Sequence, residues 1–177
     1  MDKEILQIHM VALRGMTVMP HMVVHFDVSR ESSIEAVQEA MVGEQKIFLV
    51  TQKDINTENP QQQDLYEVGT IATVNQVVKL PKHIFRVVVS GEERAVLQSI
   101  DASKAYLCAE VAVMDQNASG GETGAVIEEA MARGLNELFF QYAASSPQIS
   151  KETSARIGGI SGFSNVIDEI AANIPLA

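Results

Sequence analysis

The stretch from Asp64 to Leu97 leaves this chain the fewest choices of fold. From Ile71 to Leu80 it reads IATVNQVVKL, dense in β-branched side chains that suit a pleated surface better than a helix. Pro81-Lys82-His83 interrupts, and Ile84 to Val89 resumes as IFRVVV. Two β-type runs joined by a few polar residues and a proline make a hairpin. Gly91 is expected to break the second strand, and Ala95 to Ile100 to begin a third short run. Nothing in the stretch has the setting of a nucleophile or a metal ligand, so it reads as scaffold.

The flanking segments extend the β pattern. Leu6, Ile8 and Met10 alternate with Gln7 and His9, as in a half-buried strand that continues to Leu13. Arg14-Gly15 is a turn candidate. Met16 to Pro20 is a short apolar run, and Pro20, lacking an N–H, belongs at an edge or in a loop. Met22 to Phe26 is β-type again. Ser29 to Val42 changes period, with Ile34, Val37 and Met41 on one helical face. Ser32 and Glu35 have capping-box spacing, Ser29 is the other cap candidate, and Gly43 is placed to stop the helix. Ile47 to Thr51 reads as a strand, Lys53 to Gln63 as a loop, and Tyr106 to Met114 as a closing strand.

At QNASGGETG, residues 116–124, the character changes. Ile127, Met131, Leu135, Leu138 and Tyr142 mark an amphipathic helix from about Gly124 to Ala143. Shorter helices are expected over Ser150–Ile157 and around Phe163–Ile170, the last stopping before Pro175. The organisation expected is α+β: a mostly β unit with one helix over 1–115, a hinge at 116–123, and a helical unit over 124–177. One fair helix and two short ones are marginal alone. The helical unit either packs on the β unit or is the truncated start of a larger helical domain.

Composition narrows the function. At 46% apolar, the 177 residues can bury a real core. The net charge of −10 opposes a phosphate-binding surface, and together with only three Tyr and no Trp it opposes a nucleic-acid binder. The acid excess is spread along the chain, with no like-charge block that would read as a tail. A single cysteine, Cys108, rules out a disulfide framework and reads as a small buried hydrophobe in a strand. The apolar runs fall short of the roughly 20 residues that span a bilayer. The start, MDKEILQIHM, lacks the apolar core of a signal peptide. A reducing cytoplasmic setting with no membrane partner follows as the expectation.

The motifs of catalysis are missing from the sequence. His21 and His25 have the spacing of a zinc-binding helix, but four residues along a strand separate them by about 13 Å, so no metal site is expected. His9 should be solvated, and His83 has no evident partner in its turn. No GxxxxGK[ST] or GxSxG occurs. Ser103-Lys104 and Ser150-Lys151 are adjacent pairs without the frame of a dyad, and Glu92-Glu93 beside Gly91 reads as a solvated turn. No catalytic, cofactor-binding or metal-binding residue is assigned. Met16, Met19 and Met22 cluster around Pro20, and methionine suits surfaces that accept varied apolar partners. They are the candidate contacts for a protein ligand.

Several of these segments together resemble the N-terminal domain of the Lon protease family. Leu13 to Val23, LRGMTVMPHMV, is similar to the family's opening motif. Ser33-Ile34 lies in the helix that follows, Phe48 to Asp54 resembles the strand ending in Gln-Lys-Asp, and Asp64 to Thr70, DLYEVGT, is the most specific match. Lys79-Leu80-Pro81, Gly91 with Arg94-Ala95, and the tail Ile167 to Leu176 follow in order, so the resemblance covers nearly the whole chain. Ala12 and His25 stand where prolines are common, Met19 where an aromatic is frequent, and the turn at Pro81 lacks the usual Asp-Gly. The resemblance implies a PUA-like β pseudobarrel followed by the start of a helical subdomain. It implies a non-catalytic domain that recognises unfolded or damaged proteins and supports homo-hexamer assembly. The longer protein would carry an AAA+ ATPase using ATP and Mg and a Ser–Lys protease. PUA-like folds often bind RNA, which is the alternative reading, and the charge opposes it.

Overall fold

The computed structural model describes residues 5–114 and 121–174, residues 121–123 by backbone alone. Strands β1 (Ile5–Leu13) and β2 (Val23–Val28) precede helix α1 (Glu31–Val42). Strands β3 (Lys46–Thr51), β4 (Val68–Leu80), β5 (Ile84–Asp101) and β6 (Cys108–Val113) follow. Helices α2 (Gly121–Ser145), α3 (Lys151–Gly158) and α4 (Phe163–Asn173) complete the chain. Two compact units divide between Met114 and Asp115. Residues 116–120 of the expected hinge, and the tail from Pro175, lie outside the described residues.

The β unit is one six-stranded sheet in the order β2-β5-β4-β3-β1-β6, and β6 also pairs with β5. The pairings β5-β4-β3-β1-β6-β5 therefore form a closed circuit. The length of β5, 18 residues, makes closure possible. Its Phe85–Ser90 segment pairs with β2, its Ala95–Asp101 segment with β6, and β4 runs alongside from Ile84 to Val96. The mixed α+β class expected from the sequence is the one observed.

Gly91 does not end the second strand. Ile71 pairs with Glu93 and Ala72 with Gly91, so Glu92 is the extra residue of a β-bulge and the strand continues. A Cβ at Gly91 would collide with the Met19 carbonyl, because the segment after β1 passes directly over it. Gly69 is needed for a similar reason: a Cβ there would lie 2.5 Å from both the Leu49 carbonyl oxygen and the Phe48 ring. That close approach gives the DLYEVGT segment a packing role for its glycine.

Two cores form on opposite faces of the central strands. From β1, Val11 and Leu13 join one cluster while Ile8, Met10 and Ala12 join the other. From β3, Ile47 and Leu49 face the first cluster, Phe48 and Val50 the second. Burial on both faces explains why IFLV is a continuous apolar run rather than an alternating one. β1 and β3 are parallel, so the chain must cross over between them, and α1 lies in that crossover. Ile34, Ala36, Val37 and Ala40 of α1 cover the first cluster.

The helix is capped differently from expectation. Its N-cap is Arg30, and no side chain bonds the free N–H groups there, so neither Ser29 nor Ser32 has the cap role. Arg30 instead turns its guanidinium onto Gln52 and the loop after β3. Gly43 is the C-cap, but the left-handed residue is Gln45, φ 62°, whose N–H bonds the Ala40 carbonyl at 2.9 Å.

The helical unit has its own core of Phe139, Ile149, Ile157, Val166 and Ile170. Gly158 lets α3 pack on the Phe140 ring, 2.6 Å from where a Cβ would stand. The side chain of Ser150 caps α3 by accepting from Thr153 N–H at 3.0 Å, a structural role for one of the serines that adjoin a lysine. Arg156 on α3 donates to Glu169 on α4 at 2.7 Å.

Candidate functional site

The segment between β1 and β2 is irregular, yet its backbone is tied down along its length. Gly15 turns the chain at φ 66°. Thr51 Oγ1 donates to the Met16 carbonyl at 2.8 Å, and Thr70 Oγ1, buried, donates to the Val18 carbonyl at 2.7 Å. His21 N–H bonds the Gly91 carbonyl at 2.9 Å, and Gly91 N–H returns a bond to the Met22 carbonyl at 2.8 Å. Met22 N–H closes a turn on the Met19 carbonyl at 3.2 Å, with His21 at φ 65° inside it.

This anchoring sorts the side chains. Val18 and Pro20 are buried, while Met16, Met19 and Met22 are each half-buried. Met19 and Met22 come together: the Met22 sulfur accepts from Met19 N–H at 3.3 Å. Met16 packs partly against the core cluster under α1. Val23 beside them is 69% exposed. The result is a fixed backbone presenting flexible, polarizable apolar side chains.

Beside Met16 lies an open depression of about 380 Å³. Its lining includes Leu13, Arg14, Asp27, Ser29, Arg30 and Arg86. Arg86 is neutralised by Asp27 through two bonds, Nε to Oδ1 at 2.8 Å and Nη2 to Oδ2 at 2.9 Å. That fork holds the Asp27 carboxyl below its ordinary pKa. Arg30 Nη2 donates to Gln52 Oε1 at 2.6 Å and to the Thr57 carbonyl at 3.0 Å. Its Nη1 reaches the Ala12 carbonyl at 3.4 Å. Burial lowers the Arg30 pKa, and the charge of Arg14 lowers it further against the pull of Glu58. Sequence reasoning missed this depression, because Arg14 and Arg30 are joined by the packing of β1 against α1 and by no spacing a motif could encode.

The other candidates resolve as structure. His21 and His25 are exposed, and no group of three His, Cys, Asp or Glu among the described residues could hold a metal ion. His83 does have a partner: its Nε2 lies 3.1 Å from Glu31 Oε2, and its ring meets Phe85 edge-on. His9 is half-buried against Tyr106, ring centroids 5.3 Å apart, and burial holds its pKa below the ordinary value. Cys108 is half-buried rather than buried, and desolvation pushes its thiol up, away from reactive thiolate. Glu92 is no solvated turn residue; the bulge aims it at Lys46 and Thr73, which both donate to it. Burial raises the Glu92 pKa, and these two hydrogen bonds with the Lys46 charge outweigh it, leaving the group below its ordinary value. No helix among the described residues is long and apolar enough to cross a membrane.

Comparison with known proteins places residues 7–177 on the model of the ATP-dependent protease La (LON) substrate-binding domain. The Lon protease of Lachnoclostridium phytofermentans is 39% identical over 173 residues, 96% of this chain and 21% of its own length. The Lon protease of Desulforamulus reducens is 38% identical over 176 residues, 99% of this chain and 21% of its own. Lon protease 1 of Bacillus subtilis is 34% identical over 169 residues, covering 96% and 21%. The chain thus spans about one fifth of the length of the curated relatives it matches. Among solved structures, the N-terminal domain of Mycobacterium avium complex Lon protease aligns with TM-score 0.74 at 17% identity, covering 97% of this chain and 85% of that one. The Lon N-terminal domain protein from Xanthomonas campestris aligns with TM-score 0.52 at 10% identity, covering 96% and 99%. At these identities the structural likeness concerns the fold alone.

Proposed function

The chain belongs to the family of Lon protease substrate-binding domains, and from that premise we propose that it captures unfolded or damaged polypeptide on the methionine surface around Pro20. The observation that supports this reading is the contrast within one segment. Its backbone is hydrogen-bonded to β3, β4 and β5, while Met16, Met19 and Met22 stay half-exposed. A rigid frame carrying adaptable side chains can accept many apolar sequences without reorganising.

Such capture is weak in a single domain. Burying a patch of about 400 Å² gains about 10 kcal/mol gross, against an association cost of about 4–15 kcal/mol. Several copies held together would grip one chain by avidity. In the longer cytoplasmic protein, the domain therefore works as one of six in a homo-hexamer whose assembly it supports. An AAA+ ATPase using ATP and Mg and a Ser–Lys protease would then unfold and cut what the domains hold. The domain itself contributes recognition, not catalysis.

The test is a titration of the labelled chain with a permanently unfolded protein, its folded form, and RNA. Weak binding to the unfolded form alone is expected, reduced severalfold by the triple variant Met16→Ser, Met19→Ser, Met22→Ser. Equal binding by the triple variant would overturn the assignment of the surface. Preference for RNA would overturn the protein-capture reading.

A further inference from the structure

The depression beside Met16 contains guanidinium charge that forms no ion pair with a carboxylate among the described residues, apart from Arg86 with Asp27. Three arginines line it. Arg86 has its carboxylate in Asp27. Arg30 directs its hydrogen bonds to neutral oxygens only, those of Gln52, Thr57 and Ala12, and its Nε is buried without a partner. Arg14 is exposed. Among the described residues, no carboxylate stands within ion-pair distance of Arg14 or Arg30. The chain holds 23 acidic residues against 13 basic ones, so local acids are not scarce. Arg14 and Arg30 repel one another, Arg30 is half-buried, and Glu58 acts on Arg30 only at a distance beyond an ion pair, so a desolvation cost is left that an incoming anion would offset.

We propose that this depression is a carboxylate-binding subsite, which takes an acidic side chain or the terminal carboxylate of the polypeptide held on Met16, Met19 and Met22. The proposal rests on the capture reading above and adds a chemical preference to it. Arg14 is exposed and lines the depression, and a guanidinium can offer a fork to both carboxylate oxygens. Arg30 adds a donor through Nη1, whose bond to Ala12 at 3.4 Å is its longest. Met16 lines the same depression, so an apolar residue next to an acidic one in the ligand meets both surfaces at once. The net charge of −10 acts against acidic chains at a distance. Screening limits that repulsion to about 8 Å at physiological salt, so the contact inside the depression decides.

Three versions of one short labelled apolar peptide test this. One carries an internal Asp and an amidated terminus, one an internal Asn and an amidated terminus, and one an internal Asn and a free terminal carboxylate. The Asp version, the free-terminus version, or both should bind about five- to tenfold more tightly than the uncharged version. Which of them gains identifies the source of the carboxylate. Arg14→Gln should erase the gap, whereas the triple Met→Ser variant should weaken all three peptides and keep it. Equal affinity for the three peptides would overturn the subsite and leave apolar capture standing. If no peptide binds, the capture reading fails, and sodium acetate followed by NMR at the arginine Nε–H groups decides the subsite alone. Shifts at Arg14 and Arg30 uphold it, and their absence overturns it.

Discussion

The same kinds of apolar residue meet opposite fates in the two units. In β3, Ile47, Phe48, Leu49 and Val50 are 0 to 2% exposed. In α2, Val126, Ile127, Met131 and Leu138 are 50 to 68% exposed. The β unit closes its hydrogen-bonding circuit and covers both faces of its central strands. The two shorter helices of the second unit, α3 and α4, cover one side of α2, where Leu135, Phe139 and Ala143 pack, and leave Ile127, Met131, Leu138 and Tyr142 exposed. A closed sheet satisfies its own apolar surface, while two short helices cannot wrap a long one.

The largest effect should come from removing the ring at the centre of β3. Phe48→Ala is expected to cost the β unit about 3–5 kcal/mol, read as a lower urea midpoint by circular dichroism. A loss below about 1 kcal/mol would mean that the two-faced packing is not what holds this unit. Ile157→Ala, the central buried residue of the helical unit, should cost about 2–4 kcal/mol. Hydrogen exchange would localise the damage: amides in α2–α4 should open while those of β3 and β4 keep their protection. Loss of protection in both sets would show that the units fold as one and remove the contrast.

A smaller effect tests the bulge. Because the folded Glu92 carboxyl titrates below its ordinary value of 4.5, the unfolded chain binds the proton first as the pH falls. The contribution of the Lys46 and Thr73 contacts is therefore present above about pH 4.5 and lost as the pH drops through the lower folded value. The pair is about a third exposed, so this amounts to about 1 kcal/mol or less. Urea midpoints taken well above and well below pH 4.5 should draw closer together in Glu92→Gln; an unchanged pH slope would remove Glu92 from the account. The smallest effect sharpens the comparison most. Ile127→Ser and Leu138→Ser should each change stability by no more than about 0.5 kcal/mol, because neither side chain is packed. A loss near that of Ile157→Ala would show this face to be covered in solution.

Much of this is legible in the sequence. Period-2 alternation located β1, a continuous apolar run located β3, and the change of period at Ser29 located α1, since each pattern follows from which faces are buried. Gly91 was misleading because a glycine inside a β run signals a break and a bulge alike, and only the passage of Met19 over it distinguishes them. Of the expected stripe on α2, Ile127, Met131, Leu135, Leu138 and Tyr142, Leu135 packs against the core of the unit and the other four are exposed. The helix has a second small-and-apolar face through Ala132, Phe139 and Ala143, and the short partner helices chose that one. The methionines around Pro20 were visible as a cluster, whereas the arginine depression beside them was not, because its members lie far apart in the chain.

The sequence by itself determined the class of fold and the order of its elements, because local periodicity encodes burial wherever one face of a strand or helix meets the core. It also carried the family, through short segments whose residues have local jobs, such as Gly69 beneath Phe48. Only the tertiary structure decided how β5 serves β2, β4 and β6 along one length, which face of α2 is covered, and which arginines gather in one depression. Those outcomes depend on which distant residues arrive beside one another, and pairwise proximity across tens of residues leaves no periodic trace in the chain.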